Sequence, residues 1–407
     1  FTLQMRYEFG DEADIRYTYA ADYLALLGTN KISAEKVKQQ FYKLACNFGI
    51  NVNGKTITVS LSGLAENMPQ AVALAENVLK NAKVDTAAWQ NYVAMVLKNR
   101  EDTKKEQRSN FTAAKAYGMY GTYNNVLNQL SAEQLKNTNP ADMVALITKL
   151  SNYKHSVLYY GPATEKQLSN LITKEHKTTA KLADVPANKP YMEQQTPKSE
   201  ILLAPYDAKN IYMTMYHNEG KKFNPAEAPV AAVFNEYFGG GMNTVVFQEL
   251  REARGLAYSA SAYYYNMPIK NHTQYGTTFI ISQNDKMTDC IRVFNEILDT
   301  IPQNEANFNL AKQGLQKQLA SMRVTKMNMI NSYLNAKERG LDYDINSSIY
   351  NALPSVTLKD IVNYEKQNMA SKPYRYIILG DEKSLNMNAL EKIAPIKRIS
   401  TKDIFGY

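Results

Sequence analysis

Residues Asn53–Lys80 read NGKTITVSLSGLAENMPQAVALAENVLK, and residues Tyr275–Ile301 read YGTTFIISQNDKMTDCIRVFNEILDTI. In the first stretch, Thr56–Ser62 alternates Ile57, Val59 and Leu61 with Thr and Ser, which predicts a half-buried strand. Met68, Val72, Ala75 and Leu79 then recur at helical spacing. The second stretch repeats the order. Tyr275–Ser282 predicts a strand, and Met287, Ile291, Phe294 and Leu298 form the helix stripe, each 219 residues after its counterpart. The same offset separates Gly161 from Gly380, which end the strand-like runs KHSVLYYG (Lys154–Gly161) and YRYIILG (Tyr374–Gly380). Each run follows a helical segment, near Asp142–Leu150 and Leu358–Gln367.

The chain is therefore an internal repeat. Each copy runs strand, helix, helix, strand, helix, a long helical middle and a last strand. Hairpin-connected strands with segregated helices predict an α+β class, with two homologous two-layer α/β sandwich domains. Lys181–Lys198 carries Pro186, Pro190 and Pro197 among polar residues and reads as the join. The domains then span 1–185 and 190–407.

Composition fits this reading. The 407 residues are 44% hydrophobic and 21% charged, with 18 Gly and 14 Pro, which excludes disordered, collagenous and low-complexity classes. Cys46 and Cys290 are too few for a disulfide framework or a cysteine-rich zinc site. The net charge of +8 is mild, and stretches such as Lys98–Arg108 interleave both signs. That pattern predicts a solvated helix face and argues against a nucleic-acid stripe. An acidic-polymer binder stays a weaker possibility on charge alone. No apolar run reaches the ~18 residues of a membrane span. The opening Phe1-Thr-Leu-Gln-Met-Arg reads as a strand and not as a signal peptide, so a chain beginning on Phe reads as a processed or excised product. Few cysteines and 29 tyrosines are compatible with an exported protein, in the periplasm or cell envelope.

The two copies differ in polar detail. Phe41–Gly49 aligns with Phe247–Gly255, and at this register Arg251 falls on Ala45 and Tyr258 on Val52. The second copy alone carries Tyr237-Phe-Gly-Gly-Gly-Met-Asn-Thr-Val-Val-Phe-Gln-Glu-Leu-Arg-Glu-Ala-Arg-Gly-Leu-Ala-Tyr258. This stretch resembles the insulinase (pitrilysin) family of zinc metallopeptidases, which includes the mitochondrial processing peptidase, and the repeat extends the resemblance over essentially the whole chain. The family builds a clamshell from two halves of two domains each, and the resemblance implies that this chain is one half.

The family's zinc site is an inverted His-x-x-Glu-His on a first-domain helix, with a distal Glu as third ligand. Two imidazoles at helical spacing hold the metal and the Glu activates its water. Here Leu26-Leu-Gly28-Thr29 marks the place, and Tyr19-Ala-Ala-Asp22-Tyr23 stands where the motif belongs. The distal Glu is expected on the helix at Val96–Asp102, where the register favours Lys98 or Asn99 and leaves Glu101 close. The second copy has Val230, Val233 and Phe234 at the motif positions. The expectation is no cofactor in this chain, with zinc in a partner half.

The resemblance implies roles for what remains. Arg251 and Tyr258 match an Arg/Tyr pair that, in the family, comes from the half opposite the zinc and contacts the substrate backbone and the carbonyl under attack. Gly239, Gly240 and Gly241 would line the substrate chamber. The implied function is the non-zinc half, as a C-terminal half or partner subunit, of a metalloendopeptidase acting on peptides and inactive alone. The alternative is a catalytically silent binding or scaffold protein of the same fold, as in the core subunits of a respiratory complex.

Bland readings exist for each residue. Arg251 could be a surface ion-pair partner of Glu249 or Glu252. Tyr258 could be a core residue with a wet tip. The Gly-rich turn could be a helix cap. His217 has no second histidine nearby in sequence, His155 reads as structural, and Tyr263-Tyr-Tyr265 reads first as cross-strand packing.

Overall fold

The computed structural model describes residues 1–407 apart from 267, 268 and 270. The chain forms two compact units. The first comprises Phe1–Asp102, Asn128–Tyr191 and Thr325–Ile330, and the second Thr103–Leu127, Met192–Val324 and Asn331–Tyr407.

In chain order, the elements up to the join are β1 (Thr2–Tyr7), α1 (Arg16–Leu24), α2 (Ala34–Lys43), β2 (Cys46–Val52), β3 (Ile57–Gly63), α3 (Met68–Asn81), α4 (Thr86–Lys104), α5 (Gln107–Tyr120), α6 (Ala132–Asn137), α7 (Pro140–Thr148), β4 (Ser156–Tyr160) and α8 (Glu165–Glu175). The first unit's sheet is antiparallel in the order β2-β3-β1-β4. Ile57, Val59 and Leu61 of β3 and Leu3, Met5 and Tyr7 of β1 face the helices and are buried with Met68, Val72 and Ala75 of α3. The period of two on the strands and near four on the helix puts these residues in one core.

After the join come β5 (Glu200–Pro205), β6 (Asn210–His217), α9 (Ala228–Phe238), α10 (Val245–Phe247), β7 (Ala257–Tyr265), β8 (Tyr275–Gln283), α11 (Met287–Asp299), α12 (Glu305–Ser321), α13 (Met327–Glu338), α14 (Ile345–Ala352), α15 (Leu358–Asn368), β9 (Arg375–Gly380), α16 (Met387–Ile393), β10 (Ile396–Arg398) and α17 (Thr401–Phe405). The second sheet runs β10-β5-β9-β6-β8-β7. Within it, β7-β8-β6-β9 repeats the first unit's strand order, and β5 and β10 extend it in parallel pairing. Met287, Ile291, Phe294 and Leu298 of α11 pack under one face with Phe234 and Phe238 of α9.

Two features go beyond the sequence reading. The strand before the repeated helix is part of a hairpin in both copies, with β2 the outer strand in the first. Asn47, Gly49 and Asn51 dilute its apolar alternation of Phe48, Ile50 and Val52. In the second unit, alternate residues of β5 and β9 (Leu202, Ala204, Ile377, Leu379) face the other way and pack against Phe111 and Ala114 of α5 and Phe405 of α17. Both faces of that sheet are thus covered, so its central strands read as continuous apolar runs.

Candidate active-site residues

The positions of the degenerate zinc motif lie on α1, and each polar group there has a protein partner. Tyr19 Oη accepts from Arg100 Nη2 at 3.0 Å and from the Leu130 amide at 3.3 Å. Tyr23, fully buried against Trp89, donates from Oη to the Asp85 carbonyl (2.7 Å) and accepts from its amide (2.9 Å). Asp22 accepts from Tyr92 Oη at 2.8 Å. Burial beside Asp22 holds the Tyr92 phenol far above its ordinary range, so it stays a neutral donor. Arg100, on the helix where a distal Glu was expected, is 7% exposed and also donates to the Leu130 carbonyl at 2.8 Å.

These residues do not fit a divalent cation. The phenols are committed to hydrogen bonds, and a permanent guanidinium cation already stands among them. No group of three His, Cys, Asp or Glu side chains is placed to hold a metal among the described residues. Arg100 corrects the solvated-face reading of Lys98–Arg108. An alternating charge pattern does not reveal that one cation of the run turns inward. In the second copy, Val233 and Phe234 are fully buried in the core.

The histidines are far apart in sequence, yet two of them meet. His155 Nε2 and His176 Nε2 lie 3.0 Å apart, while His176 Nδ1 faces Glu76 Oε1 at 2.6 Å and His155 Nδ1 faces the Tyr153 carbonyl at 2.8 Å. Burial pushes the His155 pKa down. His217 is buried, with Nδ1 at 2.7 Å from the Pro373 carbonyl and 3.1 Å from Thr196 Oγ1, as a structural histidine would be.

The Arg251 and Tyr258 segment is built differently. After α10 the backbone opens into a π-helical turn, Gln248–Glu252. Such turns are uncommon and concentrate at functional sites. Leu250 points into the core and anchors the turn, which leaves Arg251 half exposed. Its guanidinium carbon sits 4.9 Å from the centre of the Phe247 ring, and its Nε is 3.8 Å from Glu252 Oε1. The close ion pair with Glu249 belongs instead to Arg254, at 2.5 Å.

Gly255, at φ +56°, takes a left-handed turn that suits glycine and leads into β7. There the ladder to β8 skips a residue. Ala257 pairs with Ser282 and Ser259 with Ile281, so Tyr258 is the extra residue of a β-bulge. Bulges re-aim a side chain, and Tyr258 is 56% exposed. Gln283 Nε2 donates to its Oη at 3.2 Å, which leaves the phenol proton free to be donated elsewhere. Tyr258 is therefore not a core residue with a wet tip.

The three glycines divide. Gly239 closes α9, and a Cβ there would fall 1.7 Å from the Ala262 carbonyl oxygen of β7, so close backbone approach requires glycine. Gly241 has open space where a Cβ would go, and Gly240 nearly so. Tyr263 and Tyr265 sit with ring centres 4.5 Å apart, and Tyr265 stacks on Tyr275 across the strand pair, as packing residues do.

Comparison with known proteins places this architecture. Residues 154–315 match the family model described as "Peptidase M16 inactive domain". No curated protein matches in sequence. Among solved structures, the peptidase M16 inactive domain from Pseudomonas fluorescens is similar over 93% of this chain and 92% of its own, at 16% identity and a TM-score of 0.70. The periplasmic protease PqqL from Escherichia coli is similar over 94% of this chain but 43% of its own, at 15% identity and a TM-score of 0.71. The ferredoxin protease FusC, solved in complex with Arabidopsis ferredoxin, is similar over 93% of this chain and 42% of its own, at 12% identity and a TM-score of 0.73. The chain spans about two-fifths of the length of these two proteases, and about all of the inactive domain. Residues 154–315 thus match a peptidase M16 inactive domain, and over nearly its whole length the chain shares the fold of the inactive domain from Pseudomonas fluorescens.

Proposed function

We propose that this chain acts beside a zinc-bearing half in peptide-bond hydrolysis and contributes Arg251 and Tyr258 to the reaction. The observation that carries this reading is the exposed, bulged Tyr258, whose phenol oxygen accepts from Gln283 and whose proton is free. A phenol so placed can donate to a carbonyl oxygen as it gains charge in the tetrahedral intermediate. Arg251, half exposed and with a single long carboxylate contact at 3.8 Å, can fork its guanidinium onto backbone carbonyls and hold a peptide extended. Gly240 and Gly241 leave room for a main chain to pass. In this reading zinc and the base that activates water belong to the partner, since the α1 positions of this chain do not fit a metal.

The test assembles the chain with a zinc-bearing half and measures cleavage of a fluorogenic peptide. Tyr258→Phe and Arg251→Ala are each expected to lower kcat/KM by roughly 10- to 1000-fold, as removal of one oxyanion donor does. Rates within about twofold of wild type would remove the assigned roles and favour a scaffold.

A further inference from the structure

One buried residue pins a long surface stretch of the first unit. Among residues 161–192, all of them described, His176 alone is buried. It caps the C-terminus of α8, whose own apolar residues Leu168, Leu171 and Ile172 are only half-buried against the core. The bonds that hold the His176 ring fix where its protons are. The Tyr153 carbonyl can only accept, so His155 Nδ1, at 2.8 Å, carries a hydrogen. Glu76 lies between Lys80 Nζ, 3.1 Å from Oε2, and His176 Nδ1, 2.6 Å from Oε1. A carboxylate between two donors accepts from both, so His176 Nδ1 carries a second hydrogen. The two Nε2 atoms face each other at 3.0 Å, where two lone pairs would repel, so a third lies between them. The pair therefore bears one positive charge, which Glu76 balances. A fourth proton would set two N–H groups and two cations face to face.

The surroundings do not relieve that repulsion. Tyr7 of β1, its ring centre 4.9 Å from that of His155, is buried, and burial holds its phenol far above the ordinary range, so it stays neutral. Lys80 of α3 is a further cation. Along the flanking chain, Lys154 pairs with Asp184 and Lys174 with Glu175, and Tyr153 turns its ring to Phe9. The small cavity beside Glu76 and His176 is otherwise lined by uncharged residues, among them Ile147, Thr148 and Ser151.

We propose that His155 and His176 form an acid-opened clasp, in which uptake of one further proton parts the two rings and releases α8 and residues 177–182 from the first unit's core. His155 is only half-buried, so protons from solvent reach the pair. Burial above all, with the charge of His176 adding to it, holds the His155 pKa below its ordinary 6.5. A histidine depressed in the closed form stabilises that form above its ordinary value, and the contribution is lost as pH falls through the lowered one. Opening therefore sets in below 6.5. The freed stretch ends at Ala183, whose amide donates to the Asn152 carbonyl at 2.8 Å and whose carbonyl accepts from the Lys154 amide at 2.9 Å. The clasp lies within the first unit and stands or falls apart from the roles of Arg251 and Tyr258.

The experiment follows the full chain through acid by two readouts. Amide hydrogen exchange, corrected for the intrinsic effect of pH, is expected to rise by about tenfold or more over residues 165–182 between about pH 7.5 and about pH 5.5, with no such rise in the second unit. In His155→Gln the side-chain carbonyl can accept from His176 Nε2 but cannot gain a charge, so the rise should shrink to within about twofold. The second readout needs no variant of the clasp to fold. The chain has four histidines, so ring-labelled histidine gives four sets of NMR signals. Those of His155 and His176 are expected to titrate together, in two linked steps. Exchange over 165–182 that ignores pH, an equal rise in His155→Gln, or two rings that titrate independently would overturn the proposal. Ring signals of His155 and His176 that change on adding EDTA would overturn it in favour of a metal ion between the rings.

Discussion

The α1 positions of the first unit and the Arg251–Tyr258 segment of the second are the candidate sites of the two copies of a repeated fold, yet they treat polar groups in opposite ways. On α1, Tyr19, Asp22 and Tyr23 are tied to Arg100, Tyr92 and Asp85, and the space is closed with hydrogen bonds. On the π turn and the bulge, Arg251 and Tyr258 are held out to solvent by backbone irregularities that a stable fold has no need of. A closed network is what remains when a site is given over to stability. Exposed polar side chains on an irregular backbone support the role proposed for them.

The largest expected effect tests the open side of that contrast. Arg251→Ala and Tyr258→Phe should lower cleavage by the assembled peptidase by roughly 10- to 1000-fold while leaving the thermal midpoint of the isolated chain almost unmoved, since exposed substitutions rarely change stability by more than about 0.5 kcal/mol. A large fall in the midpoint would mean that the pair is structural after all. The closed side predicts the reverse. Arg100→Leu strips Tyr19 of one of its two donors and removes the donor to the Leu130 carbonyl, so the first unit should lose about 2–4 kcal/mol in chemical denaturation. An unchanged denaturation midpoint would show that Arg100 is not a keystone of the network.

Glu365 sharpens the comparison from another direction, because it is buried without the pairing that α1 provides. It is fully buried on α15, and neither carboxylate oxygen has a hydrogen-bond partner among the described residues. Burial, with Asp299 adding repulsion, pushes its pKa up to about 8. A carboxyl whose folded pKa exceeds its unfolded one favours the protonated chain. Its effect on stability is therefore best below the unfolded value, near 4.5, and worsens as pH rises toward about 8, then levels off. Glu365→Gln removes the titration. The variant should be more stable than wild type by about 2 kcal/mol at pH 8, with the gain shrinking toward pH 5. A gain that does not depend on pH would show that Glu365 does not titrate in this range.

Much of the fold was legible in the sequence because the repeat preserves periodicity. The stripes Met68–Leu79 and Met287–Leu298 lie where the 219-residue offset puts them, and the last strands stop at Tyr160, just before Gly161, and at Gly380. What the sequence did not show is tertiary. The edge strand β2 is hidden by Gly49 and two asparagines, and the inward turn of Arg100 by its charged neighbours. The meeting of His155 with His176, 21 residues apart, depends on how β4 and the end of α8 come together over Glu76. The Arg251 and Tyr258 spacing could be read from sequence, but the π turn and the bulge that expose them could not, since both are insertions in register that residue types do not announce.

The smallest effect separates two arginines that sequence alone treats alike. Arg254 holds Glu249 at 2.5 Å and lies 3.9 Å from Glu296, so it has one of the two partners that the bland reading gave to Arg251. An exposed pair of this kind contributes about 0–1 kcal/mol. Arg254→Gln should therefore cost less than about 1 kcal/mol in denaturation and leave cleavage by the assembled peptidase within about twofold of wild type. Arg251 lies three residues away on the same turn and its carboxylate contact is long, at 3.8 Å. A charge effect on substrate attraction alone would make the two substitutions equivalent, and raising the salt would then abolish both losses. A loss confined to Arg251, and persisting in high salt, would assign the effect to directed contact rather than to net charge. If Arg254→Gln proved as damaging as Arg251→Ala, the distinction between an open and a paired arginine would fail, and the Arg251 role with it.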